Sequence, residues 1–168
     1  MEVLPQPESP LERLMAQYGD SLLRTCWMML NDRDLARDAA QETFLKAYRA
    51  LPTLREGETE KAWLIQIAVN VCRDMRRGFW FRRIDRRITP DDLPETVRED
   101  ERPDPTPFLA VMSLPAKDRE TVVLHYYQGL SLAEIAKLTE VPASTVRARL
   151  ARAKKKLHRK LEGWYYDE

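Results

Sequence analysis

A cluster of basic and hydroxyl side chains near the C-terminus has the chemistry to bind a polyanion. It begins after Pro142 with Ser144, Thr145, Arg147, Ala148 and Arg149, and continues with Arg152, Lys154, Lys155, Lys156, Arg159 and Lys160. Arginine can hold guanine O6 and N7 with two hydrogen bonds, and serine or threonine can reach phosphates or bases. Residues 142–161 contain eight basic side chains and no acidic one. This segment predicts a DNA-binding helix, although a basic stretch can also be a solvated, solubilising helix face.

A second basic segment lies in the middle of the chain and contains aromatic side chains. Residues 73–87 include seven basic and two acidic residues, and Phe79, Trp80 and Phe81 lie among the arginines. Residues 91–104 instead contain seven acidic and two basic residues, so the formal net charge of +1 conceals the separation of charge. Two basic blocks that flank an acidic segment favour a polyanionic partner. The aromatic side chains could stack on bases or could equally pack under the linker.

A helix-turn-helix is predicted to position the C-terminal basic residues. Ser131 and Glu134 have the spacing of a capping box at the beginning of a short helix. A turn at residues 140–142 follows, and a long helix begins near Ala143, so that its first residues could enter a major groove. Another helix begins at Pro115 in front of this motif. Its predicted apolar positions are Val122, Val123, Leu124, Tyr126 and Tyr127.

The N-terminal half is predicted to form three helices with apolar stripes. The first begins at Ser9-Pro10, the second runs from about Arg33 to Leu51, and Gly78 ends the third. The second helix is predicted to bury Ala36, Ala39, Ala40, Phe44, Ala47, Tyr48 and Leu51. The third is predicted to bury Trp63, Leu64, Ile67, Ala68, Val71, Cys72 and Met75. The opposite faces are polar and carry Asp38, Gln41 and Glu42 on the second helix, and Gln66, Asn70, Arg73 and Arg77 on the third.

Composition and length favour an all-α fold. The 168 residues include only 5 glycines, and a glycine-poor, charged chain favours helices over hairpins. Five prolines between residues 90 and 107 disfavour long helices there, so that segment reads as a linker. The predicted architecture is two small helical domains joined by a flexible acidic linker, the C-terminal domain being a helix-turn-helix. The chain starts without an apolar signal segment and is expected to be cytoplasmic, with no membrane insertion.

An enzyme is not expected from this sequence. Cys26 and Cys72 form no metal-binding spacing, and neither His125 nor His158 has a cysteine, histidine or carboxylate at the spacing of a metal site or a triad. A glycine-rich phosphate loop is also missing from the sequence. We therefore expect no cofactor, no metal and no catalytic residue.

Four sequence motifs, in the order in which they occur along the chain, resemble those of one known family. They are Asp34-Leu-Ala-Arg-Asp-Ala-Ala-Gln41-Glu42-Thr-Phe44, then Trp63-Leu-Ile-Gln-Ile-Ala-Val-Asn70, then Gly129-Leu-Ser131-Leu-Ala-Glu134-Ile-Ala136 and Pro142-Ala-Ser-Thr145-Val-Arg147. Together they resemble a bacterial RNA polymerase sigma factor of the sigma-70 family, in its extracytoplasmic-function (ECF) group. The resemblance covers about residues 9 to 161. It implies sigma region 2 over 9–83, a linker over 84–106 and the region 4 helix-turn-helix over 107–161.

The resemblance also implies a role for each polar face. Core RNA polymerase would be contacted at its clamp coiled coil and its flap, the clamp through Asp38, Gln41 and Glu42. The −10 element would be read and melted by Gln66, Asn70, Arg73, Arg76, Arg77, Phe79 and Trp80. The −35 element would be bound by Ser144, Thr145, Arg147, Ala148, Arg149, Arg152, Lys155 and Lys156. The resemblance further implies promoter DNA as a ligand and an anti-sigma factor as a partner.

Two other functions are compatible with a helix-turn-helix of this kind. One is a stand-alone repressor or activator whose N-terminal half only dimerises, which would bind duplex DNA without polymerase. The other is a polymerase-binding decoy without promoter activity, against which the arginines of the helix that begins near Ala143 argue.

Overall fold

A computed structural model describes residues 9–54, 59–80 and 106–166 and divides the chain into two compact units, residues 1–83 and 84–168. The described part is helical and contains no strand. The prediction of an all-α chain with two helical domains is confirmed. The acidic linker, together with Phe81 and the arginines that follow it, lies outside the described residues.

The described residues of unit 1 form three long helices: α1 (Pro10–Leu30), α2 (Arg33–Ala50) and α3 (Glu60–Trp80). A 3-10 turn, Leu51–Thr53, follows α2, so the second helix ends one residue earlier than predicted. The Ser9 hydroxyl accepts from the Glu12 amide while the Glu12 carboxylate accepts from the Ser9 amide, which completes a capping box ahead of α1. Asn31 ends α1 at a φ of 54°, and the Asp32 carboxylate caps α2. These two residues turn the chain back on itself between the helices.

The core of unit 1 lies where the three helices pack on one another. Its fully buried side chains include Leu14, Leu22, Cys26, Ala39, Ala47, Leu64, Ala68, Val69 and Cys72. Arg13 of α1 also holds Glu60 at the beginning of α3 through two hydrogen bonds, of 3.1 and 2.6 Å. The hydrogen bond and the charge of Glu60 raise the pKa of the Arg13 guanidinium above its ordinary value. The apolar core and this exposed ion pair both fix α3 against α1.

Three predictions for unit 1 are wrong in detail. Tyr48 is 55% exposed, because it lies to one side of the narrow stripe formed by the buried alanines of α2. The buried stripe of α3 includes Ile65 and Val69, whereas Trp63 is only half-buried. Gly78 does not end α3, which continues to Trp80. A glycine destabilises a helix by only about 1 kcal/mol relative to alanine, which is too little to stop it here.

Unit 2 contains α4 (Thr106–Met112), α5 (Ala116–Val122), α6 (Leu132–Thr139) and α7 (Ala143–Tyr166). Leu114, Val122, Leu150 and Ala153 form its core, and Val111, Leu132 and Leu157 pack against them. One nitrogen of buried Arg119 donates to the carbonyls of Met112 and Leu114. These bonds provide hydrogen-bond partners for the backbone of the turn between α4 and α5. Helix α7 packs on α4, α5 and α6, and it extends beyond the predicted end at residue 161.

A π-helical turn, Val123–Tyr127, follows α5 directly. The amide of Gln128 donates to the carbonyl of Val123, five residues back, and Gly129 then takes a φ of 74°. The wider turn rotates the later side chains away from the position that a regular helix gives them. Tyr126 and Tyr127 are therefore 56% and 42% exposed, although both belong to the apolar positions predicted for this helix. Val122, Val123 and Leu124 are buried as predicted.

Candidate nucleic-acid interface

The helix-turn-helix of unit 2 is formed by α6, a tight turn and α7. Ser131 and Glu134 form the predicted capping box at the beginning of α6. Glu140 ends α6 at a φ of 56°, and the carbonyl of Pro142 accepts hydrogen bonds from the amides of Thr145 and Val146. Hydrogen bonds within the turn therefore help to set the direction in which α7 begins.

The side chains of α7 divide into a buried stripe and an exposed row. Val146, Leu150 and Ala153 are buried. On the opposite side the exposed residues are Ser144, Arg147, Ala148, Ala151, Arg152 and Lys155. Two alanines at the centre of this row leave room for the helix backbone to approach a groove, with charges on either side. The row is the part of α7 best shaped to meet DNA.

Not every predicted −35 residue lies on that row. Thr145 and Arg149 are half-buried, whereas Arg147 is exposed. Residues two positions apart on an α-helix are separated by about 200°, so Arg147 and Arg149 lie on different sides of α7. Lys156 is exposed but lies on the same side as Arg149. The exposed row therefore has Ser144, Ala148 and Lys155 near its centre and Arg147 and Arg152 at its two edges, about 140° apart around the helix. The other predicted residues, Thr145, Arg149 and Lys156, lie beyond the edge at Arg152.

Several basic side chains of α7 contact their own domain. Arg152 donates to the buried carboxylate of Asp118 on α5, with an N–O distance of 3.1 Å. The ammonium of Lys154 lies 5.8 Å from the centre of the Tyr126 ring, and Lys160 hydrogen-bonds to Ser113. These contacts, which the sequence did not indicate, hold basic side chains against α5, the π-helical turn and the turn that follows α4.

The polar face of α3 brings together most of the predicted −10 residues. Gln66, Asn70, Arg73 and Arg77 follow one another at intervals of three or four residues and so share one side of the helix. Gln66, Asn70 and Arg77 are exposed, and Arg73 is half-buried. Asn70 therefore presents its amide to solvent, where both its donor and its acceptor are accessible to a base edge.

Two residues near this face, Arg76 and Trp63, lie at other positions around α3 than the sequence predicted. Arg76 is half-buried and lies about 120° around α3 from Asn70. Trp63 precedes Asn70 by two helical turns and lies on the same side of α3. The sequence instead predicted Trp63 as part of the buried apolar stripe. The backbones of Phe79 and Trp80 belong to the last turn of α3. Trp63 lies seven residues before Asn70, and this spacing alone could have placed it on the polar face of α3.

The outward face of α2 is polar at one end and apolar at the other. Asp38 and Gln41 are exposed and Glu42 is half-buried, opposite the buried alanines. The same face continues with Leu45 and Tyr48, which are 42% and 55% exposed. Their spacing from Asp38, seven and ten residues, could have revealed a mixed contact surface. Such a combination of aromatic, apolar and charged groups is typical of a protein interface.

The described residues show no cluster of histidine, cysteine and carboxylate side chains able to hold a metal ion. His125 makes a hydrogen bond of 2.7 Å between Nδ1 and the carbonyl of Leu130, which gives it a structural role at the π-helical turn. Within the described ranges, none of the helices has the length and hydropathy needed to cross a membrane.

Two family models match the chain, one in each unit. Sigma-70 region 2 matches residues 14–82, and sigma-70 region 4 matches residues 109–157. The RNA polymerase sigma-H factor of Pseudomonas aeruginosa is 28% identical over 163 residues, which cover 89% of this chain and 84% of that protein. The ECF RNA polymerase sigma-E factor of Escherichia coli is 30% identical, covering 74% of this chain and 73% of that protein.

A solved structure has the same fold. It is the sigma factor RpoE of Bartonella quintana in complex with the anti-sigma factor NepR, with a TM-score of 0.68 and 22% identity over 89% of this chain and 95% of that chain. The family assignment rests on the two sigma-70 regions and on the sequence relatives. The chain belongs to the sigma-70 family, in its extracytoplasmic-function group, and acts with core RNA polymerase in promoter recognition and transcription initiation.

Proposed function

We propose that residues 9–83 bind core RNA polymerase and open the −10 element, that residues 84–106 link the domains, and that residues 107–161 bind the −35 element. The division into units at residue 83 and the separate matches to sigma regions 2 and 4 support these bounds. The observation that carries the proposal is the exposed row of α7, on a capped helix-turn-helix whose residues 142–161 contain no acidic side chain.

Recognition of the −35 element is assigned to the start and middle of α7. Arg147 is the base reader, since it is exposed on the first turns, where a recognition helix meets base edges. Lys155 contacts phosphate farther along the same row. The remaining residues of this interface are Ser144, Thr145, Ala148, Arg149, Arg152 and Lys156. Because Arg149 is half-buried on another side of α7, its contribution is smaller than that of Arg147.

Opening of the −10 element is assigned to α3. Asn70 captures a base once its pair has opened, because a Watson–Crick edge becomes accessible only after unstacking. Arg73 and Arg77 hold the phosphates of the separated strand from the same side of the helix. Gln66, Arg76, Phe79 and Trp80 complete the assignment, the last two as stacking faces at the end of α3.

Docking on the polymerase clamp coiled coil is assigned to the outward face of α2. Asp38, Gln41 and Glu42 supply charge and amide groups, and the exposed Leu45 and Tyr48 add apolar area next to them. Exposed apolar side chains of this size on one face favour a protein partner over solvent. Unit 2 makes the second polymerase contact, at the flap.

The chain acts by binding alone, in the cytoplasm, without a cofactor or a catalytic residue of its own. The family consists of transcription initiation factors that are not enzymes. The Bartonella quintana relative forms a complex with an anti-sigma factor, and we extend this kind of regulation to the present chain. The chain itself does not insert into a membrane.

Transcription in vitro with purified core polymerase tests the polymerase interface directly. The double variant Asp38→Lys/Glu42→Lys should reduce both binding to core enzyme and initiation, because the two changes reverse the charge of the outward face of α2. Competition with wild-type protein for core enzyme measures the loss. Asp20→Lys, at an exposed position of α1, is the matched control for the single variant Asp38→Lys, since both reverse one exposed aspartate.

Wild-type affinity of the double variant for core enzyme, with helicity preserved, would show that the clamp contact lies elsewhere. A loss in Asp20→Lys as large as in Asp38→Lys would show that total charge, and not this face, governs binding. If the unaltered chain supports no initiation with core enzyme but binds duplex DNA alone, the assignment of regions to promoter elements fails as a whole.

A further inference from the structure

Asp118 is a buried carboxylate that the functions above do not use. It lies in the first turn of α5 and is 3% exposed. Its Oδ1 accepts a hydrogen bond from the guanidinium of Arg152, 34 residues later in the chain, at 3.1 Å. The Arg152 side chain itself is 61% exposed. The pair therefore joins an inward carboxylate to an outward guanidinium on the DNA-facing row of α7.

We propose that Asp118 is a positioning residue for promoter recognition, which holds Arg152 in the orientation that binds the −35 duplex. The inference rests on the proposed function of α7. Asp118 does not itself contact DNA. It acts through Arg152, whose remaining donors stay accessible to phosphates or bases.

The chemistry of the guanidinium allows both contacts at once. Arginine carries five N–H donors in a rigid planar fork, and one of them is sufficient for Asp118. The rest of the fork lies in solvent beside Ala148, which is four residues earlier and so about 40° away around α7. A long side chain fixed at one edge loses less conformational freedom on binding DNA than a free one.

A purely structural role explains the pair less well. Helices α5 and α7 already pack through Val122, Leu150 and Ala153. Burial of a carboxylate is unfavourable unless it is paired, and an apolar side chain at this position would join the helices equally well. An ionised group at position 118 is useful where its partner has to be held and still remain accessible. Lys155 is exposed on the same row, and neither of the described ion pairs includes it. It therefore serves as the comparison for Arg152.

The test is a double-mutant cycle on promoter affinity, measured with the full chain bound to core polymerase. Arg152→Gln should weaken promoter binding roughly tenfold. Asp118→Asn should weaken it nearly as much although residue 118 faces away from DNA, and the double variant should be no worse than Arg152→Gln. Lys155→Gln is the control, because its effect should multiply with that of Asp118→Asn.

Non-additivity in DNA affinity is a readout that a merely structural contact would not produce in folded protein. Thermal unfolding of each variant establishes that unit 2 is intact. If Asp118→Asn does not fold, Arg152→Lys takes its place. One ammonium cannot hold the carboxylate and the DNA with the geometry of a fork, so this variant should lose about as much affinity as Arg152→Gln.

Wild-type affinity of Asp118→Asn or of Arg152→Lys overturns the inference, as does full additivity of Asp118→Asn with Arg152→Gln. Tighter binding by Asp118→Asn also overturns it, because the carboxylate would then compete with DNA for Arg152. These failures differ from failure of the proposed function, in which Arg147→Ala and Lys155→Gln would also leave promoter binding unchanged.

Discussion

The polar faces of α3 and α7 are both basic, but they differ in composition. The exposed row of α7 combines arginine and lysine with two alanines, and no acidic residue occurs between positions 142 and 161. The face of α3 has amides at Gln66 and Asn70, and Asp74 is exposed between Arg73 and Arg77. Uniform positive charge suits the phosphates of a duplex, whereas amides suit the edges of unpaired bases. We therefore propose that the two faces divide duplex binding from strand opening.

The comparison requires that each face be supported by its own core. Leu64 is 1% exposed in unit 1, and Leu150 is 6% exposed in unit 2. Truncation of a buried leucine to alanine destabilises a domain by about 2–5 kcal/mol. We expect Leu64→Ala to impair polymerase binding and −10 opening, and Leu150→Ala to impair binding of −35 duplex. Chemical denaturation and duplex binding of each variant measure the two effects.

Leu45→Ala is the control for the loss of stability alone, since Leu45 is 42% exposed and its removal should leave the free energy of unfolding within about 0.5 kcal/mol of wild type. Polymerase binding is left out of this control because Leu45 lies on the outward face of α2. If Leu64→Ala and Leu150→Ala reduce −35 duplex binding equally, the two units do not act as separate supports, and the contrast between the faces loses its basis.

The second prediction separates opening from docking. Asn70→Ala should lower transcription from a paired promoter and recover part of it on a template whose −10 region is already mismatched, because the unstacking step has been bypassed. Arg147→Ala should cost about 1–3 kcal/mol of promoter affinity and gain less from the mismatch, since its contact is made to duplex. Run-off transcription on both templates provides the measurement. Equal rescue of the two variants, or rescue of neither, would contradict this division.

Local patterns in the sequence were sufficient for the beginnings of α1 and α6 and for the shared side of the polar residues of α3. The capping box predicted at Ser131 forms, and Ser9, predicted to begin the first helix, caps it through a second box with Glu12. A capping box depends on residues within one turn, so it can be read without knowledge of the fold. The same holds for the shared side of Asn70 and Arg77, which follows from helical period alone.

Features that depend on backbone irregularity or on distant residues could not be predicted in this way. The exposure of Tyr126 and Tyr127 follows from a π-helical turn, which has no spacing of its own in the sequence. The pairing of Asp118 with Arg152 joins residues 34 positions apart and requires the packing of α5 on α7. The half-burial of Arg149 likewise depends on which side of α7 its neighbours cover.

The third prediction compares two side chains within the α7 row. Arg147→Ala should relax the preference at one base pair of the −35 element, because a base contact is lost. Lys155→Ala should weaken binding to all sequences alike and reduce the slope of log affinity against log salt by about 1, because a phosphate contact is lost. Titrations at several salt concentrations with altered −35 duplexes distinguish these outcomes. Equal losses on every sequence for both variants would identify Arg147 as another phosphate contact.

The smallest expected effect compares the two capping boxes. Ser131→Ala should destabilise unit 2 by about 1 kcal/mol, and Ser9→Ala should destabilise unit 1 by less. The reason is helix length, since α6 has 8 residues and α1 has 21, so loss of the first turn removes a larger share of α6. That turn also carries Leu132, which packs against the core of unit 2. Chemical denaturation gives both values, and Glu134→Gln is the control because an amide can replace the carboxylate in a capping box. Equal losses for the two serines would show that a cap contributes through its own hydrogen bonds alone, and that helix length and the packing of Leu132 add nothing to it.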